Sequence, residues 1–546
     1  MTSSKLLGSV TTLSLAFLGG IALISPACAG SPTDCDYGLC GNGTGAKAGS
    51  SGSANGAGVG GEDAGGGKSG AGGGKGGASG SSSGGTSGDA GSTGNGGEAG
   101  GGGCDTTQSP TEEACLVSDE FAVFVSPDGD DANDGMQGTP LATLTKAVEV
   151  AAGEKLVLVC DATYDEHVSI TVGARIYGGF KCTDWSAEAA NPLFKPTTAG
   201  VALKITGVVD NVLVEHVNFE VGDAAVAGET ALVAIVNASP KVTLRAVSLK
   251  AGKGSAGANG SLAIFTYPDK ATFKGNPESM VTPGTGGDSK TCTCQAGLQS
   301  VGGVGGTPVA GGQNGSKGQP EHGGGAGGDP AAGDCGIGVG GKTGSGSKGA
   351  NAGAGGPANG APSLGTATAS TWQPTAGTDG ATGQPGQGGG GGASFNASGH
   401  GGGGGCGGCG GNGGTAGKGG GGSIALLALN SPVALESSTL TTADAGNGGT
   451  GAAGQPGQKE AGGGGSVADS LNSCGGGGGG FGGDGGAGGG GAGGISVGIV
   501  WKGGMAPTVS ADTTTTNGKA GTKGNGGAPG TNDGIAGVSQ KILSLN

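Results

Sequence analysis

Apolar positions in this chain fall in short runs that recur. Residues 211–221 read NVLVEHVNFEV, residues 241–251 read KVTLRAVSLKA, and residues 432–441 read PVALESSTLT. In each, apolar and polar residues alternate, the alternation slips by one residue, and it resumes. Val212 and Val214 align with Val242 and Leu244 and with Val433 and Leu435. Beyond the slip, Val217 and Phe219 align with Val247 and Leu249. Alternate residues of a strand face one side, so each segment predicts two strands joined at a corner. Residues 164–172, YDEHVSITV, fit the same frame through Val168 and Ile170. The aligned runs are accompanied by near-continuous apolar stretches at 230–237, 422–430 and 494–502. Self-similarity at roughly 25–30 residues, in units of strand and turn alone, is the signature of a solenoid. The pattern predicts an all-β fold, a right-handed parallel β-helix. The same register places Glu215, Arg245 and Glu436 on successive coils. Strands ~4.8 Å apart would set these opposite charges face to face.

Ahead of the first coil the pattern changes. Residues 121–125 form a strand pattern, and an acidic, turn-rich loop, SPDGDDANDGMQG, follows. Thr139 as N-cap and Pro140 at the first helical position then predict a helix, with Leu144, Ala147, Val148 and Ala151 at helical spacing and Gly153 as its stop. A solenoid has open ends, and a strand with one amphipathic helix makes a suitable N-terminal cap.

Composition limits how much of the chain can join that core. Of 546 residues 144 are Gly, and aromatics make up 3 %, so one domain with large excursions is expected. Its coils are assigned to 116–251, 422–446 and 494–546, with Gly-rich insertions at 252–421 and 447–493. Both insertions leave after the third run of a coil and return before the first strand of the next, so both should emerge on one side. Residues 30–115 are assigned to a disordered Gly/Ser-rich tether, clearest over 30–103, where nothing offsets the entropy of ordering. Within the insertions some stretches keep a period of three: Cys406, Cys409, Asn412, Thr415 and Lys418 are separated by Gly pairs or near-pairs. Two readings stay open. Gly-rich chain is entropically costly to order, which favours disordered loops. Three is also the period of a polyproline II helix, whose bundles need Gly on packed faces. In such a helix Cys406 and Cys409 would stand ~9 Å apart, too far to bond each other, and would staple neighbouring tracts through Cys335 or Cys474.

The N-terminus reads as an export signal over residues 1–29: Lys5, an apolar run to Ile24, and Ala27-Cys28-Ala29 at the cleavage site. Cys28 is also a candidate for lipidation, the one membrane attachment the sequence offers. Twelve further cysteines suit an oxidising compartment. Cys35 with Cys40, Cys104 with Cys115 and Cys160 with Cys182 are local disulfide candidates; Cys292, Cys294, Cys335, Cys406, Cys409 and Cys474 lie in the insertions with pairing open. Net charge is −15, and no basic cluster exists to hold nucleic acid.

VSPDGDDANDGMQGTPLATLTKAVEVA resembles the N-terminal cap of pectin-lyase-like parallel β-helix proteins. IYGGF followed by Trp185 resembles an element of exported glycine-rich β-helix proteins of myxobacterial type. The Gly-Gly-X tracts resemble repeats of the mycobacterial PE-PGRS family, although its PE domain is absent. The resemblance implies a fold and carries no catalytic residue.

Candidate chemistry is sparse. Asp128, Asp130, Asp131 and Asp134 could ligate Ca²⁺, but Ala132 occupies a middle ligand position and a solvated Asp/Asn/Gly turn explains the same residues. Cys406 and Cys409 with Cys292 and Cys294 have a zinc-like arrangement, against which the exported context favours disulfides. Glu166-His167 and Glu215-His216 could serve acid–base chemistry, with no nucleophile in view. A polysaccharide lyase or hydrolase would need paired carboxylates or a basic residue on a rung, and aromatics for sugar; Arg245 stands alone on the aligned rungs, and Trp185, Trp372 and Trp501 are the tryptophans. Expected is a non-catalytic, exported structural or adhesive protein of the cell envelope or surface, without a cofactor. The alternative is a carbohydrate-binding or polysaccharide-cleaving β-helix, with envelope or extracellular polysaccharide as partner.

Overall fold

In a computed structural model, which describes residues 104–187, 190–278, 285–336, 342–468 and 472–545, the chain winds as a parallel β-helix. The expected signal, Cys28, Cys35, Cys40 and residues 30–103 of the tether lie outside the described residues. Three parallel sheets run along the solenoid. A middle coil visits them in turn: Val212–Glu215 in the first sheet, Asn218–Val221 in the second and Ala231–Asn237 in the third. The next coil repeats this with Val242–Arg245, Ser248–Ala251 and Ser423–Leu429.

The register follows the alternation. Val242 faces Val212 and Val433, and Leu244 faces Val214 and Leu435. Leu249 faces Phe219 and Leu440. All of these are buried in one core, each burial stabilising the fold by about 1.5–3 kcal/mol. Rings stack along the axis as well: Tyr164 on Phe194 at 4.7 Å and Phe194 on Phe219 at 5.5 Å. On the outer face Arg245 pairs in register with Glu215 and Glu436. Its Nε donates to Glu436 at 2.8 Å and its Nη1 donates to Glu215 at 3.2 Å.

One alignment differs. Val168 and Ile170 pair with Leu203 and Ile205 in the third sheet, whereas Val212 and Val214 pair with Ala174 and Ile176 in the first. Every sheet has the same two-residue period, so alternation identifies a strand without assigning its sheet. The third sheet also departs from simple alternation. Its later strands are apolar on both faces, because Leu232, Ile235, Ile424 and Leu427 pack outward against Trp372. Trp372 comes from an antiparallel hairpin, Gly365–Ala367 with Trp372–Pro374, folded back from the first insertion.

The corners are single residues in left-handed conformation, stacked coil on coil: His216, Ala246 and Ser437 between the first and second sheets, and Ala238 and Asn430 between the third and first. Buried hydroxyls take up the corner amides. Val208 N donates to Ser239 Oγ, and Ser239 N donates in turn to Ser431 Oγ.

The N-terminal end is closed as expected in kind but not in detail. Ala122–Val125 pairs with Leu156–Cys160. The helix spans Leu144–Ala151 and drives Leu144, Ala147, Val148 and Ala151 into the solenoid. It starts later than Thr139-Pro140: Thr143 is the N-cap, and the preceding Leu141 bridges to Val125 as an extension of the first sheet. The tertiary pairing available to the backbone at 139–141 overrides the local cap signal. Ala152, at φ 50°, is the C-cap. Residues 104–115, grouped with the tether on composition, are ordered: the Cys104–Cys115 disulfide, the adjoining short helix Ala114–Leu116 and the buried Leu116 place them over the first coils. No helix among the described residues is long and apolar enough to cross a membrane.

Candidate functional site: the glycine bundle and the solenoid surface

Residues 252–421 leave the second sheet after Ser248–Ala251 and re-enter the third at Ser423–Leu429; a second excursion lies between Thr439–Thr441 and Ser496–Lys502. Both excursions therefore open from the corner between the same two sheets and meet there. They are ordered. Gly408, Gly411 and Gly414 donate their N–H groups to the carbonyls of Gly480, Gly483 and Gly486, each at 2.9 Å. Gly380, Gly383 and Gly386 donate to Gly414, Gly411 and Gly408, also at 2.9 Å. A third tract donates from Gly446, Gly449 and Ala452 to Gly421, Lys418 and Thr415 at 2.8–3.0 Å. Every third residue bonds the same neighbour, and none of these glycines has positive φ. That is the geometry of packed polyproline II helices, three residues to the turn. The tract at 402–421 lies at the centre, with neighbours on several sides.

Glycine is required by contact. A Cβ on Gly411 would stand 1.9 Å from the carbonyl oxygen of Gln455, and one on Gly485 would stand 2.0 Å from that of Asn412. Where backbone does not reach, glutamines substitute, Gln455 and Gln458 beside the central tract among them. Gln458 Oε1 accepts from Cys409 N at 3.0 Å while its Nε2 donates to Pro268 at 2.8 Å. Gln455 both accepts from Phe265 N and donates to Phe265 O. Nothing in the sequence distinguished these two from other polar positions in the repeat.

Disulfides staple the bundle. Cys292 bonds Cys406, Cys294 bonds Cys409, and Cys335 bonds Cys474. The staples thus run from Cys406 and Cys409 to the hairpin strand Thr291–Thr293 and its neighbour Cys294, and not through Cys335 or Cys474 as expected. Period three puts Cys406 and Cys409 on one face, so one adjacent segment meets both. Phe273 and the half-buried Phe265, Tyr267 and Leu298 pack around the first two disulfides. These sulfurs are consumed, which removes the zinc-like arrangement. Cys160–Cys182 forms too, beside the first coils.

The other candidate groups serve structure. Asp131 accepts from Ala142 N and Thr143 N, Asp130 from Ala132 N, and Asp134 from Met136 N and Thr139 Oγ1. The bond from Thr139 holds the Asp134 carboxyl below its usual range. Asp128 lies in the same loop, and no group of three or more potential metal ligands gathers among the described residues. Glu166 does not meet His167: its carboxylate caps the helix by accepting from Leu144 N and Thr145 N. His167 contacts the Val201 carbonyl and Thr198 Oγ1. His216 Nε2 is 3.8 Å from Glu215 Oε1, but Glu215 is committed to Arg245. The two Glu-His pairs occupy different corners of the solenoid.

A shallow groove of about 470 Å³ crosses the outer face of the first sheet beside Arg175, Lys241, Arg245, Asn211 and Thr243. Neither a carboxylate nor an aromatic ring lines it. A second cavity, about 580 Å³, lies between Tyr267 and the Lys459-Glu460 edge of the bundle.

A family model described as "Protein of unknown function (DUF1565)" matches residues 127–183. That stretch holds the acidic loop, the capping helix, the first coil and the strand Ala174–Phe180. No curated protein and no solved structure matches the chain.

Proposed function

We propose that the protein is an exported, non-catalytic structural or adhesive component of the cell envelope or surface. Its β-helix is a rigid mount, and the displayed part is the glycine bundle. The observation that carries this reading is the order of that bundle: a body of packed backbone, stapled by three disulfides, built out from one corner of the solenoid. Five disulfides among the described residues suit an oxidising compartment, in keeping with the signal-like N-terminus. Glu215 and Glu436 on the aligned rungs face a guanidinium and the first-sheet groove lacks aromatic and acidic groups, so among the described residues these rungs do not offer the paired carboxylates of a polysaccharide hydrolase. Attachment is by lipid at Cys28.

Labelling intact source cells with a membrane-impermeant amine reagent tests the location. The protein is expected in the labelled fraction, with cysteines that resist alkylation until reduced. Recovery solely from the cytosol with free thiols would overturn the reading. Incubation with acidic polysaccharides is expected to release neither reducing ends nor unsaturated products, and turnover would favour the cleaving alternative. Palmitate label should enter the wild-type chain and not Cys28→Ser.

A further inference from the structure

Trp185 and Trp372 are 4 % and 2 % exposed and serve packing. Trp501 is placed differently. It sits near the end of Ser496–Lys502, with one side on the solenoid core, and it also lines an open cavity of about 590 Å³ at the corner where the third sheet turns into the first. Leu429 and Leu545 give that cavity an apolar floor, the hairpin residues Ala367–Ala369 form one wall, and Asn237, Asn430, Lys502 and Ser544 supply polar groups.

Three of those groups are uncommitted. Among the described residues, no hydrogen bond or ion pair engages the side chains of Asn237, Asn430 or Lys502, and no carboxylate lines the cavity. Asn430 is positioned by its surroundings: it holds the left-handed corner at φ 49°, and a Cβ on the following coil's Gly503 would stand 2.2 Å from its Oδ1. Glycine there leaves room for the amide. Earlier coils put Gly207 and Ala238 at this corner, so the amide appears on the coil that also meets the hairpin.

We propose that this cavity binds one pyranose unit of an anionic saccharide. A pyranose presents an apolar C–H face that stacks on an indole, hydroxyls that pair with amides and serine, and, where carboxylated or sulfated, a charge that pairs with an unopposed lysine. The volume lies within the range of small-ligand sites, which combine apolar walls with a few placed polar groups. The site adjoins the first-sheet groove in chain position, Asn430 standing two residues before Pro432, and differs from it in drawing on the insertion, which supplies the hairpin wall. The inference rests on the surface reading only in that a surface protein meets glycans.

Calorimetric titration of the purified full chain with three hexasaccharides tests it: hyaluronan for carboxylate, chondroitin sulfate for sulfate, and cellohexaose as the neutral form. Saturable binding is expected for at least one anionic sugar, at least fivefold tighter than for cellohexaose. Lys502→Gln should remove that preference, Asn430→Ala should weaken binding about tenfold, and Trp501→Leu should abolish it. Lys502 and Asn430 are exposed, so their variants stay informative if the Trp501 variant fails to fold. Absence of saturable heat with all three sugars, a neutral sugar bound as tightly as the charged ones, or unchanged binding by Lys502→Gln and Asn430→Ala would each overturn the proposal. None of those results bears on surface labelling of cells, so the two readings fail separately.

Discussion

The solenoid and the glycine bundle reach order by opposite means. In the solenoid, side chains do the packing: Val, Leu, Ile and Phe from three sheets fill the interior, and backbone hydrogen bonds run between coils. In the bundle, side chains would prevent packing. Its tracts approach until carbonyl oxygens occupy the places where Cβ atoms would be, and its cohesion is a lattice of N–H···O bonds, most of them 2.7–3.0 Å long. A net backbone hydrogen bond is worth about 0.5–1.5 kcal/mol, while ordering glycine costs more than ordering any other residue. The bundle carries three cross-links, two of them on its central tract, and the later coils of the solenoid carry none among the described residues. A body with little hydrophobic burial is held by hydrogen bonds and by covalent restriction of its unfolded state.

The largest expected effect separates the two bodies outright. Replacing Cys292, Cys294, Cys406 and Cys409 by Ser opens loops of 114 and 115 residues. Each such closure is worth about 2–5 kcal/mol. Hydrogen exchange should show residues 402–421 losing protection while Ala231–Asn237 keeps its own. Simultaneous loss in both would mean that bundle and solenoid fold as one unit.

The solenoid can be broken by the converse change. Phe219→Ala removes the end of the Tyr164–Phe194–Phe219 stack and should cost about 3–5 kcal/mol in chemical denaturation, with bundle protection unchanged below the transition. A smaller but sharper test sets two glycines against each other. Gly411→Ala drives a methyl against Gln455 and should cost about 1–3 kcal/mol, as overpacking does. Gly353, whose added Cβ would meet nothing within 4 Å, should tolerate Ala within about 0.5 kcal/mol. Equal effects at the two positions would deny that contact is why glycine is there.

Arg245→Gln should destabilise by about 1–3 kcal/mol, because it strips the partner from Glu215, which is 6 % exposed. Glu436→Gln, at an exposed position, should cost no more than about 1 kcal/mol. The smallest effect lies in pH. Asp533 accepts from Gly526 N and Gly530 N and pairs with Lys523, which holds its carboxyl down to about 2 from an ordinary 3.8. A depressed carboxyl stabilises the folded loop above the ordinary value, and that contribution is lost as pH falls from about 4 through about 2. Gly526 and Gly530 amide shifts should follow this window, and Asp533→Asn should abolish the dependence.

Much of the solenoid was legible in the residues themselves. The two-residue period with its one-residue slip named strands, corners and the Glu215–Arg245–Glu436 row, because a strand's facing direction is a local property. The same period could not say that Val168 belongs to the third sheet, since all three sheets share it. The helix was visible through Leu144, Ala147, Val148 and Ala151, but its start moved from Thr139 to Thr143 once residues 139–141 found a strand to join. Of the candidate site residues, the acidic loop, Glu166 and His167 were visible as groups with potential chemistry; their engagement by distant amides was not.

What the sequence alone determined is therefore the solenoid's repeat, its inward residues and the side from which the glycine tracts depart, all consequences of short-range periodicity. Tertiary structure decided whether those tracts are ordered, which cysteines meet, and that Trp501 lines a cavity where Trp185 and Trp372 do not. The physical reason is common to all three. A glycine tract, a thiol or an indole has no preferred partner in its own neighbourhood of chain, and its state is set by segments brought to it from tens to more than a hundred residues away.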